Sequence, residues 1–404
     1  MSKNIFRLIT PLLIIALLSS TQLTVIALQK QNESKRSFIE DIFFDLKVIT
    51  YMRFLKSPSI TVCVIKNDSI VWSKAYGYSN IYLRKKASVD TIYVVGSISK
   101  TVIATAVMQL VEQNKINLDE NISHFFPFDI KNPKYPEVNI TLRMLLAHQS
   151  SLSHDFSQIF LSFPFIDNAT QFIKERIIPG EPKYDETLWC DYKPGEDCNY
   201  SNIGYLIIGE IIENITGKPY DIYCQENIFD PLGMHNTSFD ESKFDKKNIA
   251  RPYIHLLGSI YIPVPHLDLK CINVFCGLRT NVFDMSRFII MHLNKGIYNG
   301  VNILNESTVK LMHTIQYNST MNLYNFKLHH CLGWMYVDIF GEIFGGYNGG
   351  AFGYCCNMLT NETSNTAVLT FFNFHFIRGG IHKINDIKVQ IFYKIAKLLF
   401  EKAA

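Results

Sequence analysis

The sequence predicts an α/β protein of the α+β kind, with an antiparallel sheet flanked by helices and built from both chain ends, and an inserted mainly helical subdomain. Three observations support this fold class. Strand-like runs occur towards both ends, the middle is rich in helices and loops, and 48% of the 404 residues are hydrophobic, enough for a large core. We expect residues 28–96 and 276–404 to form the sheet subdomain and residues 97–275 the helical one, together making one domain.

Residues 1–27 are predicted to be a secretory signal peptide. Lys3 and Arg7 precede an apolar run over residues 8–18, and small residues follow at 25–27. This order of charge, apolar core and small residues is typical of a cleaved signal. An uncleaved membrane anchor stays open as the alternative, because apolar residues recur as far as Leu28. We therefore expect a secreted or extracytoplasmic protein, in contact with a membrane only if this segment is retained.

Sequons and cysteines are consistent with export. Asn-x-Ser/Thr triplets, the acceptors of N-glycans, begin at Asn32, Asn67, Asn121, Asn139, Asn168, Asn199, Asn214, Asn236, Asn305, Asn318 and Asn361. All nine cysteines follow the predicted signal, and the closest separated pairs are Cys190/Cys198 and Cys271/Cys276. An oxidising compartment would favour disulfides, whereas nine buried, reduced thiols are the alternative.

The elements of the predicted fold follow from local patterns. Apolar spacing predicts helices over 38–55, 100–114 and 202–216, the last ended by Gly217. Two β-rich runs at 59–65 and 70–76, separated by Asn67-Asp68, predict a hairpin. Near the C-terminal end, the pattern predicts strands over 334–340, 353–359 and 366–374, followed by a helix over 384–400.

Charge and motif content narrow the function classes. The 39 Lys and Arg against 36 Asp and Glu leave a net charge of +3, spread along the chain. No basic stripe for nucleic acid results. Neither C-x-x-C nor H-E-x-x-H occurs, so the sequence predicts no metal and no organic cofactor. The oligomeric state is left open.

The first candidate for chemistry is Ser97-Ile98-Ser99-Lys100, where a strand-like run passes through Gly96 into a helix. Residues three apart share a helix face, so the Lys100 amine can lie beside the Ser97 hydroxyl. Serine is a weak nucleophile until an adjacent base takes its proton, and a desolvated lysine can be that base. The alternative is an exposed helix start capped by Ser97.

The second candidate is Tyr200-Ser201-Asn202, at the start of the helix predicted over 202–216. A tyrosine near cations can serve as acid or base, and an Asn amide can hold a lysine and a substrate amide together. The alternative is a packed tyrosine with Asn202 as the helix cap. A glycan on Asn199 would obstruct a catalytic Tyr200.

The third candidate is the segment 345–353, which contains five glycines and enters a predicted strand. Glycines let a ligand approach the backbone closely, and a backbone N–H here could form an oxyanion hole with the Ser97 N–H. A glycine-rich hairpin turn is the alternative.

Together the three motifs resemble the serine β-lactamase/penicillin-binding-protein superfamily, and within it the class C β-lactamase, D-alanyl-D-alanine carboxypeptidase and esterase branch. The resemblance extends over about 59–374 and includes the stretches at 94–101, 118–121, 141–148, 228–234 and 277–288. It implies a secreted hydrolase with an α/β domain beside a mostly helical one. The implied substrate is a small acyl, ester or peptide-like molecule.

The resemblance also implies a role for each motif residue. Ser97 would be the nucleophile, Lys100 and Tyr200 would share the proton transfers, and Asn202 would position the lysine and the substrate. The Ser97 and Gly350 N–H groups would form the oxyanion hole. Tyr347, Asn348 and Gly349 complete the substrate-binding set and, together with Gly350, make up the third motif.

One departure from the family pattern concerns that third motif. It usually opens with Lys or His, whereas Tyr347 carries no charge. This change disfavours recognition of a penicillin or peptide carboxylate, and leaves ester or amide hydrolysis as the expected activity. The alternative is a catalytically impaired, penicillin-binding-like binding or scaffold protein, favoured by Tyr347 and by the Asn199 sequon.

Overall fold

The computed structural model of the chain describes residues 39–153, 168–255, 260–266, 273–317, 321–323, 326–351, 353–374 and 382–403. The predicted signal segment, Cys271 and the sequons at Asn32 and Asn318 lie outside these residues. The chain divides into two compact units, Met1–Tyr51 and Met52–Ala404. The first contains most of helix α1, over 39–54, and the architecture below is that of the second.

The second unit is built on one antiparallel sheet. The strands are β1 Ser59–Lys66, β2 Ser69–Asn80, β3 Lys85–Lys86, β4 Tyr93–Val94, β5 Tyr253–His255, β6 Tyr261–Pro263, β7 Arg279–Thr280, β8 Ile297–Tyr298, β9 Val301–Asn302, β10 Met321–Leu323, β11 Phe326–His330, β12 Met335–Ile339, β13 Glu342–Ala351, β14 Tyr354–Asn361 and β15 Thr366–Phe372. In the described part of the chain the main sheet has nine strands in the order β10-β11-β12-β13-β14-β15-β1-β2-β3. The six others form two-stranded ribbons.

Most helices lie, in sequence, between β3 and β10, that is, between the two sets of strands that form the main sheet. They are α2 Ser99–Glu112, α3 Leu142–Leu146, α4 Ala169–Ile177, α5 Asn202–Thr216, α6 Tyr220–Cys224, α7 Asp230–Leu232, α8 Asn273–Cys276, α9 Val282–Leu293, α10 Glu306–His313 and α11 His382–Ala403. No helix within the described ranges has both the length and the apolar character needed to cross a bilayer.

The two ends of the chain meet in the sheet at β1. Ile60 of β1 lies opposite Tyr76 of β2 on one side and opposite Phe372 of β15 on the other. The residues of β1 from Ser59 to Ile65 are buried, as expected of a strand with neighbours on both edges. This topology confirms the predicted fold class. The boundaries drawn between the sheet and helical subdomains stay a prediction.

The predicted hairpin is confirmed as β1 and β2. Asn67 and Asp68 between them adopt φ values of +47° and +66°. Such left-handed conformations suit a tight two-residue turn and favour Asn and Asp. The helix predicted over 38–55 is observed over 39–54, and residue 38 lies outside the described part.

Two helices that carry site residues follow their local signals. Helix α5 has the predicted bounds, because the Ser201 Oγ caps it by accepting from the Gly204 N–H at 3.2 Å and Gly217 ends it. Ser201 is therefore the cap, and the alternative that assigned this role to Asn202 is wrong. Helix α2 begins one residue before the prediction and ends two residues earlier, at Glu112.

The glycine-rich segment is the main correction to the predicted elements. Residues 345–351 are part of β13 itself, which pairs with β12 and β14, and they do not form a hairpin turn. The strands predicted on either side are confirmed with small shifts of their ends, and the final helix is α11. Glycine is unfavourable within a strand unless another backbone comes close, which points to a close approach at β13.

The cysteines do not show the predicted disulfides. The eight described ones, among them Cys190 and Cys198, are all free thiols. The second suggested pair, Cys271/Cys276, includes a residue outside the described part. Cys276 is buried, which raises the pKa of its thiol to about 12. The described cysteines thus match the alternative of reduced thiols.

Candidate active site

Ser97 lies in a single turn of 3-10 helix, Gly96–Ile98, that leads into α2. The turn is fixed by Ser99, whose Oγ donates to the Gly96 carbonyl at 2.6 Å and accepts from the Leu278 N–H at 3.1 Å. Ser97 itself is half-buried, whereas the neighbouring residues Gly96 and Ile98 are buried. Its hydroxyl is therefore the side-chain group that this turn leaves accessible.

Lys100 is fully buried beside Ser97. Its Nζ donates to the Ser97 Oγ at 3.1 Å and to the Phe275 carbonyl of α8 at 3.0 Å. The amine also lies 4.9 Å from the ring centroid of Tyr200, 5.4 Å from that of Tyr205 and 5.3 Å from that of Phe275. Apolar ring surface and one carbonyl thus replace water around the nitrogen.

This burial changes the acid–base chemistry of Lys100. Desolvation lowers the pKa of the amine from 10.5 to about 7, with a smaller opposing effect of the nearby Cys276 thiol. Burial disfavours the charged ammonium because the surroundings solvate it less well than water does. A large fraction of the amine is therefore neutral near pH 7 and able to accept a proton from Ser97.

Tyr200 approaches the same hydroxyl from the helical part of the chain. Its phenolic O–H donates to the Ser97 Oγ at 2.6 Å, and its side chain is half-buried. Tyr200 lies two residues before α5, and the Ser201 cap fixes the start of that helix. The structure thus brings Ser97, Lys100 and Tyr200 together. The three-residue spacing predicted the contact with Lys100, and the family resemblance implied the contact with Tyr200.

Asn202 is the first residue of α5, and its side chain does not bond to Lys100 as predicted. The hydrogen bonds of Lys100 go to Ser97 and to the Phe275 carbonyl, so a backbone group takes the place expected for the Asn202 amide. The Asn202 Oδ1 is buried and has no hydrogen-bond partner. A buried polar atom left in this way costs free energy until a ligand supplies a donor.

The β13 backbone lies directly against the Ser97 turn. Gly96 adopts a φ of +58°, and a Cβ there would lie 2.6 Å from the Gly350 nitrogen. A Cβ on Gly349 would lie 1.8 Å from the Val95 carbonyl oxygen and 3.2 Å from the Ser97 nitrogen. Neither contact is sterically possible for a larger residue, so the glycines allow two backbones to approach at the nucleophile.

Tyr347 is buried within the site rather than exposed to a ligand. Its hydroxyl bonds to the His148 Nε2 at 3.2 Å and to the Tyr200 hydroxyl. Burial, with the neighbouring Tyr200, raises the pKa of Tyr347 well above 10, so this residue is a neutral donor. The predicted substrate contact of Tyr347 stays a prediction, since the side chain is 2% exposed and its hydroxyl is already bonded within the protein.

Asn348 lies on the other face of β13 from Tyr347. Successive side chains of a strand point to opposite faces, and Asn348 follows Tyr347 on β13. Its Nδ2 bonds to the Tyr393 hydroxyl of α11. The substrate contact of Asn348 stays a prediction, whereas the adjacent Gly349 and Gly350 backbone does reach the turn that contains Ser97.

Three residues that no sequence motif assigned to the site also shape it: His148, Tyr205 and Phe275. His148 follows α3 and is buried against Tyr200 with ring centroids 4.5 Å apart. The two others enclose the lysine amine. Their contacts join segments that are distant in the sequence, so local patterns do not predict them. The sequence offers one indication, because His148 belongs to the stretch 141–148 that resembles the family.

Asn199 also has a defined environment beside the site. Its side-chain Nδ2 lies 3.3 Å from the Cys190 sulfur, and its backbone N–H donates to the His148 carbonyl at 2.9 Å. An N-glycan is attached through this same nitrogen. The folded site therefore leaves the Asn199 nitrogen in contact with another side chain.

Comparison with known proteins places the chain in a family. The family model described as Beta-lactamase matches residues 45–376. The chain belongs to this family. β-Lactamase family proteins are generally serine hydrolases, amidases among them, and some members are non-catalytic.

Two curated relatives are similar to this β-lactamase family chain. One is Protein flp of Staphylococcus aureus (strain MW2), 28% identical over 240 residues, which are 59% of this chain and 46% of that protein. The other is N-acetylmuramyl-L-alanine amidase of Bacillus subtilis (strain 168), 27% identical over 287 residues, which are 63% of each. The chain thus spans about half to two thirds of the length of these relatives.

Solved structures show the same β-lactamase fold. An octameric penicillin-binding protein homologue from Pyrococcus abyssi matches with a TM-score of 0.68 and 24% identity, over 87% of this chain and 77% of that chain. A class C β-lactamase matches with a TM-score of 0.69 and 17% identity, over 89% and 94%. A D-amino acid amidase from Ochrobactrum anthropi SV3 matches with a TM-score of 0.68 and 20% identity, over 89% and 99%.

Proposed function

We propose that this protein is a serine hydrolase that cleaves an ester or amide bond through an acyl-enzyme on Ser97. One observation carries the proposal. The Ser97 Oγ is within hydrogen-bond distance of both the Lys100 amine, at 3.1 Å, and the Tyr200 hydroxyl, at 2.6 Å. A nucleophile with an adjacent base and a second proton donor is the arrangement that covalent catalysis requires.

In the proposed acylation step, the Ser97 oxygen attacks the carbonyl carbon of the substrate and its proton passes to the neutral Lys100 amine. The carbonyl oxygen becomes an oxyanion, stabilised by the backbone N–H groups of Ser97 and Gly350. Tyr200 then gives its phenolic proton to the leaving alcohol or amine, and the proton on Lys100 restores it. Water next attacks the acyl carbon, returns one proton to the Ser97 oxygen and releases the acid.

The substrate proposed for this site is a small acyl, ester or peptide-like molecule. The unpaired Asn202 Oδ1 supports an amide-containing substrate, because a substrate N–H would satisfy that buried oxygen. Tyr347 is neutral and buried, so the third motif supplies no cation to bind a carboxylate, and this supports a substrate that lacks one. Two of the similar proteins are amidases, which also favours an amide as the substrate.

The proposed setting is extracytoplasmic, after cleavage of the segment 1–27. An oxidising exterior is compatible with six of the eight described thiols, because burial keeps them from reacting; Cys190 and Cys198 are half-buried. We further propose that the Asn199 sequon is unused in the active protein, since its nitrogen contacts Cys190. Mass spectrometry of the secreted protein tests both points through the mature N-terminus and the mass of the Asn199 peptide.

Labelling of Ser97 tests the enzymatic proposal. Purified protein is incubated with a fluorophosphonate and the modified peptide is located by mass spectrometry, with Ser97→Ala as the control. We expect one label on Ser97 in the wild type and none on the variant. A panel of activated esters, amino-acid amides and a cephalosporin then ranks substrates. A folded wild type that takes no label and turns over no substrate would contradict the proposal.

The second candidate, a catalytically impaired binding or scaffold protein, is favoured by the neutral Tyr347. The distance of 3.1 Å between Lys100 and Ser97 argues against it, because a broken nucleophile–base contact is what this candidate requires. The same labelling experiment separates the two. Turnover that disappears in Ser97→Ala would eliminate the scaffold function as the whole explanation.

A further inference from the structure

A buried chain of hydrogen bonds leads from the Ser201 N–H through His148 and Tyr347 to Tyr200. The Ser201 N–H donates to the His148 Nδ1 at 3.1 Å, the His148 Nε2 contacts the Tyr347 hydroxyl at 3.2 Å, and that hydroxyl bonds to Tyr200. His148 is 1% exposed and Tyr347 2% exposed, so water does not compete for these bonds. The chain ends at the Ser97 Oγ, which Tyr200 contacts at 2.6 Å.

The direction of each bond follows from the first one. The Ser201 N–H can only donate, so the His148 Nδ1 carries a lone pair and the ring proton is on Nε2. That Nε2–H donates to the Tyr347 oxygen. The Tyr347 O–H is then left to donate to the Tyr200 oxygen, and Tyr200 donates to Ser97. One backbone group thus sets the orientation of every proton along the chain.

His148 also holds the backbone on both sides of Tyr200. Its carbonyl accepts from the Asn199 N–H at 2.9 Å, and its ring accepts from the Ser201 N–H. The imidazole lies against the Tyr200 ring with centroids 4.5 Å apart. His148 adopts a φ of +59°, a left-handed conformation that costs free energy for a residue with a side chain. The surrounding contacts hold it there.

We propose that His148 and Tyr347 are positioning residues for Tyr200, with Tyr347 supplying a neutral O–H donor to the Tyr200 oxygen. This inference rests on the proposed function and deepens it. Neither residue touches the substrate; both act by fixing where the Tyr200 oxygen lies and which way its proton points. A hydrogen bond from Tyr347 also stabilises negative charge on that oxygen when Tyr200 gives up its proton.

Three variants test the chain. Tyr347→Phe keeps the ring and removes the donor to Tyr200. His148→Asn keeps a side-chain oxygen that can accept the Ser201 N–H but loses the donor to Tyr347. The third is the double variant. Tyr93→Phe is the matched control, a buried tyrosine whose hydroxyl bonds to Ser59 and Thr61 on β1.

The measurements are the rate of fluorophosphonate labelling of Ser97, and kcat and KM on an activated ester. Circular dichroism and thermal unfolding establish that each variant is folded. Loss of one well-placed hydrogen bond corresponds to about a tenfold change in rate. We expect labelling and kcat to fall about tenfold in Tyr347→Phe and in His148→Asn, with KM within about twofold and Tyr93→Phe unchanged.

The double variant separates the hydrogen bond between His148 and Tyr347 from the direct contact of the His148 ring with Tyr200. We expect its loss to equal that of Tyr347→Phe alone, since residues in one hydrogen-bond network give non-additive effects. Losses that multiply to about a hundredfold would overturn the chain, as would an unchanged rate in Tyr347→Phe. If Tyr347→Phe does not fold, His148→Asn alone must still lower kcat without raising KM. An unlabelled wild type would instead overturn the proposed function.

Discussion

Replacing Lys100 by methionine is expected to make the protein more stable and inactive. The side chain is fully buried, and its pKa is lowered from 10.5 to about 7. Because one pKa unit corresponds to about 1.4 kcal/mol, the ammonium form of Lys100 costs roughly 5 kcal/mol of folding free energy at low pH. Methionine has a similar length and carries no charge, so Lys100→Met removes this cost.

Two effects set the net magnitude of this change at pH 7. Half of the native lysine is neutral there, which reduces the cost to about 4 kcal/mol. The variant also loses the bonds to the Ser97 Oγ and the Phe275 carbonyl, worth about 1 kcal/mol each. We therefore expect the free energy of unfolding of Lys100→Met to exceed that of the wild type by roughly 2 kcal/mol at pH 7.

The sign of the pH dependence follows from the lowered pKa. Between about pH 7 and 10.5 the unfolded lysine binds a proton that the native one does not, so wild-type stability rises with pH through this window. The advantage of the variant should fall to about zero near pH 9. Urea unfolding at pH 7, 8 and 9 measures this difference directly, with exposed Lys115→Met as the control.

The reasoning is refuted if Lys100→Met is less stable than the wild type at pH 7, or if the difference between them does not change with pH. Either result would mean that the amine is hydrated in the folded protein. Stability gained together with loss of activity is the usual signature of a group kept for chemistry rather than for folding. Lys115→Met should leave the free energy of unfolding within about 0.5 kcal/mol of the wild type.

Three other predictions concern the surroundings of the site. Arg279→Met should lower the free energy of unfolding by about 3 kcal/mol in urea titrations, because it removes the buried partner of Glu241, 2.7 Å away, and leaves that buried carboxylate only the exposed Lys246 at 3.2 Å; an unchanged midpoint would contradict this. Gly349→Ala should abolish labelling of the nucleophile, because its Cβ would lie 1.8 Å from the Val95 oxygen; wild-type labelling would show that β13 can move. The labelling rate of the wild type should rise with pH about a midpoint near 7 as Lys100 loses its proton, and a flat profile from pH 5 to 9 would count against this base.

Local signals in the sequence predicted the elements that depend on near neighbours. Helix α5 was correct at both ends because Ser201 and Gly217 mark its termini within the chain segment itself. The contact of Ser97 with Lys100 follows from a three-residue spacing on one turn. Tyr200 required the family resemblance, since it lies about a hundred residues from Ser97.

Contacts between distant segments explain the errors. Segment 345–351 has too many glycines to look like a strand, and only pairing with β12 and β14 makes it one. Lys100 donates a hydrogen bond to the Phe275 carbonyl. This acceptor is a backbone group, which a residue of any type could supply. Strand alternation places the Asn348 side chain on the opposite face of β13 from Tyr347.

The position of β1 between strands from the two ends of the chain has a consequence for biosynthesis. Phe372 pairs with Ile60 but leaves the ribosome roughly 300 residues later, a delay of about 15–60 s at usual elongation rates. During that interval the β1–β2 ribbon has one apolar edge with no neighbour, the kind of edge that recruits other chains. Nascent molecules should therefore depend on a chaperone that shields this edge, and ribosome-bound intermediates should have no hydrolytic capacity until β13 emerges to complete the nucleophile turn.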